Sequence, residues 1–147
     1  MSRNALATTR VLVVEDYEPF SDMVRVLLED DATLQIAAVA EDGLAGLHAA
    51  EDLQPDLILL DVGLPKMNGL QAARWLRDLA PNSKIIFVTA EHSRELVHSA
   101  FELGARGYVI KTDAGSELLP AIKAVLGGDN FVSSGCRMSD DHQGQLL

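Results

Sequence analysis

The chain has a single cysteine, Cys136, among its 147 residues. One thiol closes no internal disulfide and completes no metal knuckle, which excludes a disulfide-stapled scaffold and a zinc ribbon. Aromatic residues make up only 5 % of the sequence, so the core must rest mainly on Leu, Val, Ile and Ala. Basic charge is scarce as well. Twelve Lys and Arg stand against 22 Asp and Glu, a formal net charge of −10. That argues against a general nucleic-acid binder, because phosphate contacts need clustered cations. Long hydrophobic runs are missing too. The first apolar run, residues 11–14, stops at Glu15 and Asp16, too early for a signal-peptide core, and no other stretch approaches membrane-spanning length. A cytoplasmic location, with no membrane partner, is the resulting expectation. Neither G-x-G-x-x-G nor G-x-x-x-x-G-K-[ST] occurs, so the usual glycine-rich phosphate cradles are absent.

What is present is a soluble-domain composition, 48 % hydrophobic and 23 % charged, in a length that suits one domain. Short apolar runs alternate with helical patterns. VLVV (11–14), LILL (57–60) and IIFV (85–88) are continuous and branched, as strands buried on both faces are. LQIAAV (34–39) is less uniform and reads as a strand nearer an edge, and YVI (108–110) as a short fifth. Phe20, Met23, Val24 and Leu27 repeat at helical spacing behind Asp16, a candidate cap, with Pro19 in the first turn. Further helices are predicted over 43–53, over about 68–79, through Leu96–Phe101 to Gly104, and through Leu118–Leu126 to Gly127.

This alternation implies an α/β fold: a doubly wound, five-stranded parallel sheet of flavodoxin-like (βα)5 topology with strand order 2-1-3-4-5. The folded domain is expected over 10–128. Residues 129–147, Ser-, Gly- and Asp-rich, read as a C-terminal linker or frayed tail with no output domain, and Cys136 as an incidental thiol within it.

In such a sheet ligands bind beyond the carboxyl ends of the strands. Glu15 and Asp16 follow the first strand, Asp61 the third, Thr89 the fourth and Lys111 the fifth. Converging carboxylates repel one another unless a cation is present, and Mg²⁺ suits a hard, all-oxygen site. A carboxylate can attack a phosphoryl group to give an acyl phosphate, with fixed positive charge on the phosphoryl oxygens. Lys111 could supply that charge and Thr89 a hydroxyl donor. Each residue alone has a plainer explanation: Asp16 or Thr89 as helix caps, Asp61 as an Asx turn before Gly63, Lys111 as a solvated charge. Their joint occurrence at four strand ends favours chemistry. His48, His92, His98 and His142 show no metal-type pairing, with His92 and His98 placed on the fourth helix. Trp75 and Met67 read as packing residues.

The segments VLVVEDYEPF, LILLDVGLPKMNG, IIFVTA and GARGYVIK together resemble the receiver domain of two-component response regulators, over residues 11–132. The stretch GARGYVIKTDAGSELLPAIKAVLGGDNFVSSG resembles the NarL/FixJ-type branch. The resemblance implies that Asp61 is the phosphoacceptor and that Glu15, Asp16, Asp61 and the backbone carbonyl of Gly63 hold Mg²⁺. It implies that Thr89 and Tyr108 form the switch and that Lys111 pairs with the phosphoryl group. A sensor histidine kinase or phosphotransfer protein would be the donor, a homodimer is open, and no turnover of an external substrate is implied. Two departures stand out. Thr112 occupies the place where many receivers have a proline that makes a cis peptide after the lysine. No helix-turn-helix pattern follows residue 128, as in a single-domain receiver or one cut from a longer regulator. An aspartyl phosphatase is the nearest enzymatic rival, but it usually wants a second acid where Gly63 stands. A receiver-shaped module that is never phosphorylated also stays open.

Overall fold

A computed structural model describes residues 8–136 of the chain. The elements run β1 (Thr9–Val14), α1 (Glu18–Glu29), β2 (Leu34–Ala40), α2 (Gly43–Leu53), β3 (Leu57–Leu60) and α3 (Gly69–Leu79). Then come β4 (Lys84–Thr89), α4 (Arg94–Glu102), β5 (Gly107–Ile110), a 3₁₀ turn over Lys111–Asp113, α5 (Ala114–Leu126) and β6 (Phe131–Val132). All strands pair in parallel, in the order β2-β1-β3-β4-β5-β6. The alternating α/β architecture matches the sequence-based expectation, but the sheet has six strands rather than five.

Period-2 alternation sorts the strand residues onto two faces. Leu12, Val14, Ile58, Leu60, Phe87 and Tyr108 pack on one face against buried residues of α2, α3 and α4, among them Ala50, Ala73, Leu76 and Ala100. Val11, Val13, Leu57, Leu59, Ile86 and Val109 pack on the other against Val24 and Leu28 of α1 and Leu118, Ile122 and Val125 of α5. Burial of each such branched side chain stabilises the fold by about 1.5–3 kcal/mol. The two hydrophobic layers hold the sheet rigid, and its carboxyl edge thereby becomes a fixed frame for the polar residues there.

The sixth strand lies in the segment expected to be a loose tail. After α5 the chain reverses through Gly127 and Gly128, the latter at φ +98°, where glycine carries no Cβ penalty. Phe131 and Val132 then pair with Gly107 and Tyr108. Cys136 is buried in the same cluster as Tyr108, so it is a core residue and not an incidental thiol on a tail. The remaining tail residues, 137–147, and with them His142, lie outside the described part.

Other expectations need correction. Asp16 does not cap α1: Tyr17 takes the N-cap position, with no side-chain cap bond, and Glu15 accepts the Tyr17 N–H instead. Ser93, not Thr89, caps α4, whose first residue is Arg94, so His92 precedes the helix. Trp75 is 56 % exposed on α3 and does not pack in the core. Among the described residues no helix is long and apolar enough to cross a membrane.

Candidate functional site

Asp61 directly follows β3, the strand flanked by β1 and β4. Its backbone is clamped by the start of α3. Asn68 and Gln71 form a reciprocal capping box, and the next residue, Gly69, donates its N–H to the Val62 carbonyl at 2.8 Å. A Cβ on Gly69 would sit 2.1 Å from the Asp61 carbonyl oxygen and 2.9 Å from the Val62 Cα. Backbone atoms cannot swing aside as a side-chain tip can. Gly69→Ala is therefore expected to cost roughly 3 kcal/mol, the upper range for overpacking, and to lower Tm by about 10 °C. Gly63 meets nothing within 4 Å, so Gly63→Ala should leave Tm within about 2 °C of the wild type. Thermal unfolding of both variants checks this pair, and equal Tm values would refute the clamp.

Four of the sequence-predicted residues, Glu15, Asp16, Asp61 and Lys111, converge. Glu15, Asp16 and Asp61 each bring a carboxylate oxygen within 4.8 Å of the others. Glu15 and Asp61 are buried, while Asp16 is exposed. Lys111 Nζ lies 2.9 Å from Glu15 Oε1 and 3.0 Å from Asp61 Oδ2. It reaches them although no described peptide bond is cis, so the Lys111–Thr112 bond is trans. Phe20 supports the ammonium from below, its ring centroid 4.8 Å from Nζ. Sequence reasoning placed Phe20 only in the hydrophobic stripe of α1; nothing in its spacing marks a cation contact.

Thr89 ends β4 and is buried. It pairs with Ile110 across the β4–β5 ladder, which sets it beside the residue preceding Lys111. Tyr108 is fully buried, with its ring inward and 6.3 Å from that of Phe87. Its hydroxyl donates to the Glu91 carbonyl at 2.6 Å, tying β5 to the loop that follows Thr89. Burial pushes the Tyr108 hydroxyl pKa well up, so the ring acts as a neutral donor.

Electrostatics follow from this arrangement. Burial pushes the Glu15 carboxyl above its usual range, and bonds from Lys111 and the Tyr17 N–H only partly offset it. Burial alone would lower the Lys111 ammonium, but its bonds to Glu15 and Asp61 prevail and hold it above the usual lysine value. Three carboxylates against one ammonium leave two negative charges uncompensated. A small, hard divalent cation matches that charge and an all-oxygen donor set, so these residues fit Mg²⁺.

Comparisons with known proteins identify the fold and the family. The model of the response regulator receiver domain matches residues 11–123. A putative transcriptional regulator of Pseudomonas aeruginosa is 34 % identical over 135 residues, 92 % of this chain and 65 % of that protein. The protein CcdB of Bacillus subtilis is 35 % identical over 119 residues, 81 % of this chain and 98 % of CcdB. A solved two-component response regulator of the LuxR family from Aurantimonas superposes with a TM-score of 0.88 at 28 % identity, covering 93 % of this chain and 98 % of that one. The chain spans 59 % and 65 % of the length of two of the curated relatives it matches, which are longer proteins. A matching family model over most of the sequence, the parallel sheet and the acidic cluster at its carboxyl edge lead to one assignment: the chain belongs to the response regulator receiver domain family of two-component systems, with relatives of the NarL/LuxR type.

Proposed function

We propose that Asp61 is the phosphoacceptor of a signalling switch. The observation that carries this reading is the placement of the Asp61 carboxylate within 4.8 Å of the Glu15 and Asp16 carboxylates and 3.0 Å from the Lys111 ammonium. A carboxylate oxygen of Asp61 attacks the phosphorus of the donor. The new O–P bond forms as the bond to the leaving group breaks, and the electron pair departs with that group. With a phosphohistidine on a sensor kinase or phosphotransfer protein as donor, the leaving group is an imidazole. Lys111 keeps its proton and pairs with a phosphoryl oxygen, as it pairs with the carboxylates beforehand. Glu15, Asp16, Asp61 and the Gly63 carbonyl are the groups we assign to Mg²⁺, which when bound would offset negative charge on the phosphoryl oxygens.

Thr89 donates its hydroxyl to the phosphoryl group, and its movement is felt in the loop that Tyr108 holds through the Glu91 carbonyl. The output is a shift between two conformations on the α4–β5–α5 side, read by a partner, a second copy or a further domain. In this reading the protein turns over no external substrate and does not itself bind nucleic acid. Incubation with acetyl phosphate and Mg²⁺ should add one phosphoryl group by intact mass. Hydroxylamine, which cleaves acyl phosphates, should remove it. A chain that gains no mass, or a hydroxylamine-resistant adduct, would rule the reading out and favour an interaction module that is never phosphorylated.

A further inference from the structure

We propose that Ser133, oriented by Glu117, is a positioning residue for Lys111, on the reading of Asp61 as phosphoacceptor given above. The β5–β6 ladder pairs Gly107 with Phe131 and Tyr108 with Val132, and there the strand ends. Ser133 continues the ladder in two ways. Its backbone N–H donates to the Tyr108 carbonyl at 2.8 Å, and its hydroxyl oxygen accepts the Ile110 N–H at 2.9 Å. The two bonds bracket Val109 and fix the backbone immediately before Lys111.

The hydroxyl is itself held. It donates to Glu117 Oε1 at 2.6 Å, a charge-assisted bond that leaves its lone pairs turned to the Ile110 N–H. Glu117 lies in the first turn of α5 and also accepts the Ser134 N–H and hydroxyl, at 3.2 and 2.8 Å. Ser133 is fully buried, so water cannot replace it. Downstream of Lys111 the chain enters a 3₁₀ turn through Thr112, whose backbone is less constrained than a proline would be. The upstream clamp by Ser133 is thus what sets the lysine's starting position. It also joins the charge partner of Asp61 to the segment that leaves the sheet, because Lys111 and residue 133 share the end of β5.

The test is a double-mutant cycle read in the rate of Mg²⁺-dependent labelling by acetyl phosphate. Ser133→Ala should slow labelling about tenfold, through misplacement of Lys111. In a Lys111→Met background the same change should slow it less than about twofold, because the group it positions is gone. A merely structural role would give the same loss in both backgrounds. Ser134→Ala, which touches Glu117 but not Ile110, should change the rate less than about twofold. If Ser133→Ala does not fold, Glu117→Gln keeps the volume but weakens the bond, and should show the same dependence on Lys111. Equal losses in both backgrounds, or no loss in either, overturn the positioning role while leaving Asp61 as acceptor. A wild-type chain that takes no label overturns both.

Discussion

Asp61→Asn is expected to take up no phosphoryl group from acetyl phosphate, while keeping a melting temperature at or slightly above that of the wild type without metal. The chemical half rests on nucleophilicity, since an amide oxygen cannot form a stable acyl phosphate. The neighbouring carboxylates are poor substitutes. Glu15 is buried, with one oxygen 2.9 Å from Lys111 and the other accepting both Lys111 and the Tyr17 N–H, so its lone pairs are engaged. Asp16 is exposed, and the ion pairs of Lys111 go to Glu15 and Asp61 instead.

The stability half rests on charge. In the Asp61→Asn variant the single amide oxygen can keep the Lys111 bond that Oδ2 accepts at 3.0 Å, while the amide nitrogen takes the place of Oδ1 and the exposed Gly63 N–H, which donates to Oδ1 at 3.2 Å, turns to water. Meanwhile the repulsion that helps raise the Glu15 pKa disappears. Loss of label with an unchanged or higher Tm separates a lost nucleophile from a damaged fold. Undiminished labelling would move the acceptor to another residue, and a large fall in Tm would mean that the Asp61 charge is needed structurally.

The legible parts of the sequence were those governed by strong local periodicity. The runs ending at Val14, Leu60 and Val88 are apolar on both faces, and only a sheet covered on both sides accommodates that. Once the sheet is parallel, Glu15, Asp61, Thr89 and Lys111 must gather at one edge, so the site followed from the fold. The parts that were not legible depend on single tertiary contacts. β6 has two residues, Phe131 and Val132, between polar neighbours, too few for any period to show. Its existence depends on the free edge of β5, which no local pattern announces. The burial of Cys136 follows from that pairing, and so does the role given to Ser133. Trp75 failed in the other direction: a large apolar residue on an amphipathic helix reads as a packing residue, yet it is exposed and α3 fills its inner face with Ala72, Ala73 and Leu76. Asp16 looked like a cap because caps are commonly acidic, but Glu15 reaches the Tyr17 N–H and leaves Asp16 for the cluster.

Lys111→Met is expected to change two measurements in opposite directions, tightening Mg²⁺ binding while slowing phosphoryl transfer. Without the ammonium, Glu15 and Asp61 face each other as buried carboxylates, and the metal-free protein should lose about 3 kcal/mol, or about 10 °C in Tm. The lysine's stabilising contribution is constant near neutrality. Its folded pKa is raised, so the contribution is complete below the ordinary lysine value and fades only as the pH rises through the higher folded one. Mg²⁺ should restore more of the variant's stability than of the wild type's. A divalent ion a few ångströms from a fixed ammonium meets a repulsion of about 1–2 kcal/mol in a water-like dielectric, so removing the ammonium should strengthen binding about tenfold. Transfer needs that same positive charge on the phosphoryl oxygens, and losing one such donor should slow labelling about 10²-fold. Calorimetric titration with Mg²⁺ and a time course of intact mass measure the two effects on one sample. Were both to fall together, Lys111 would be holding the cluster's shape. Were labelling unchanged, the ammonium would have no part in the transfer, and the pairing with Asp61 would belong to the resting protein alone.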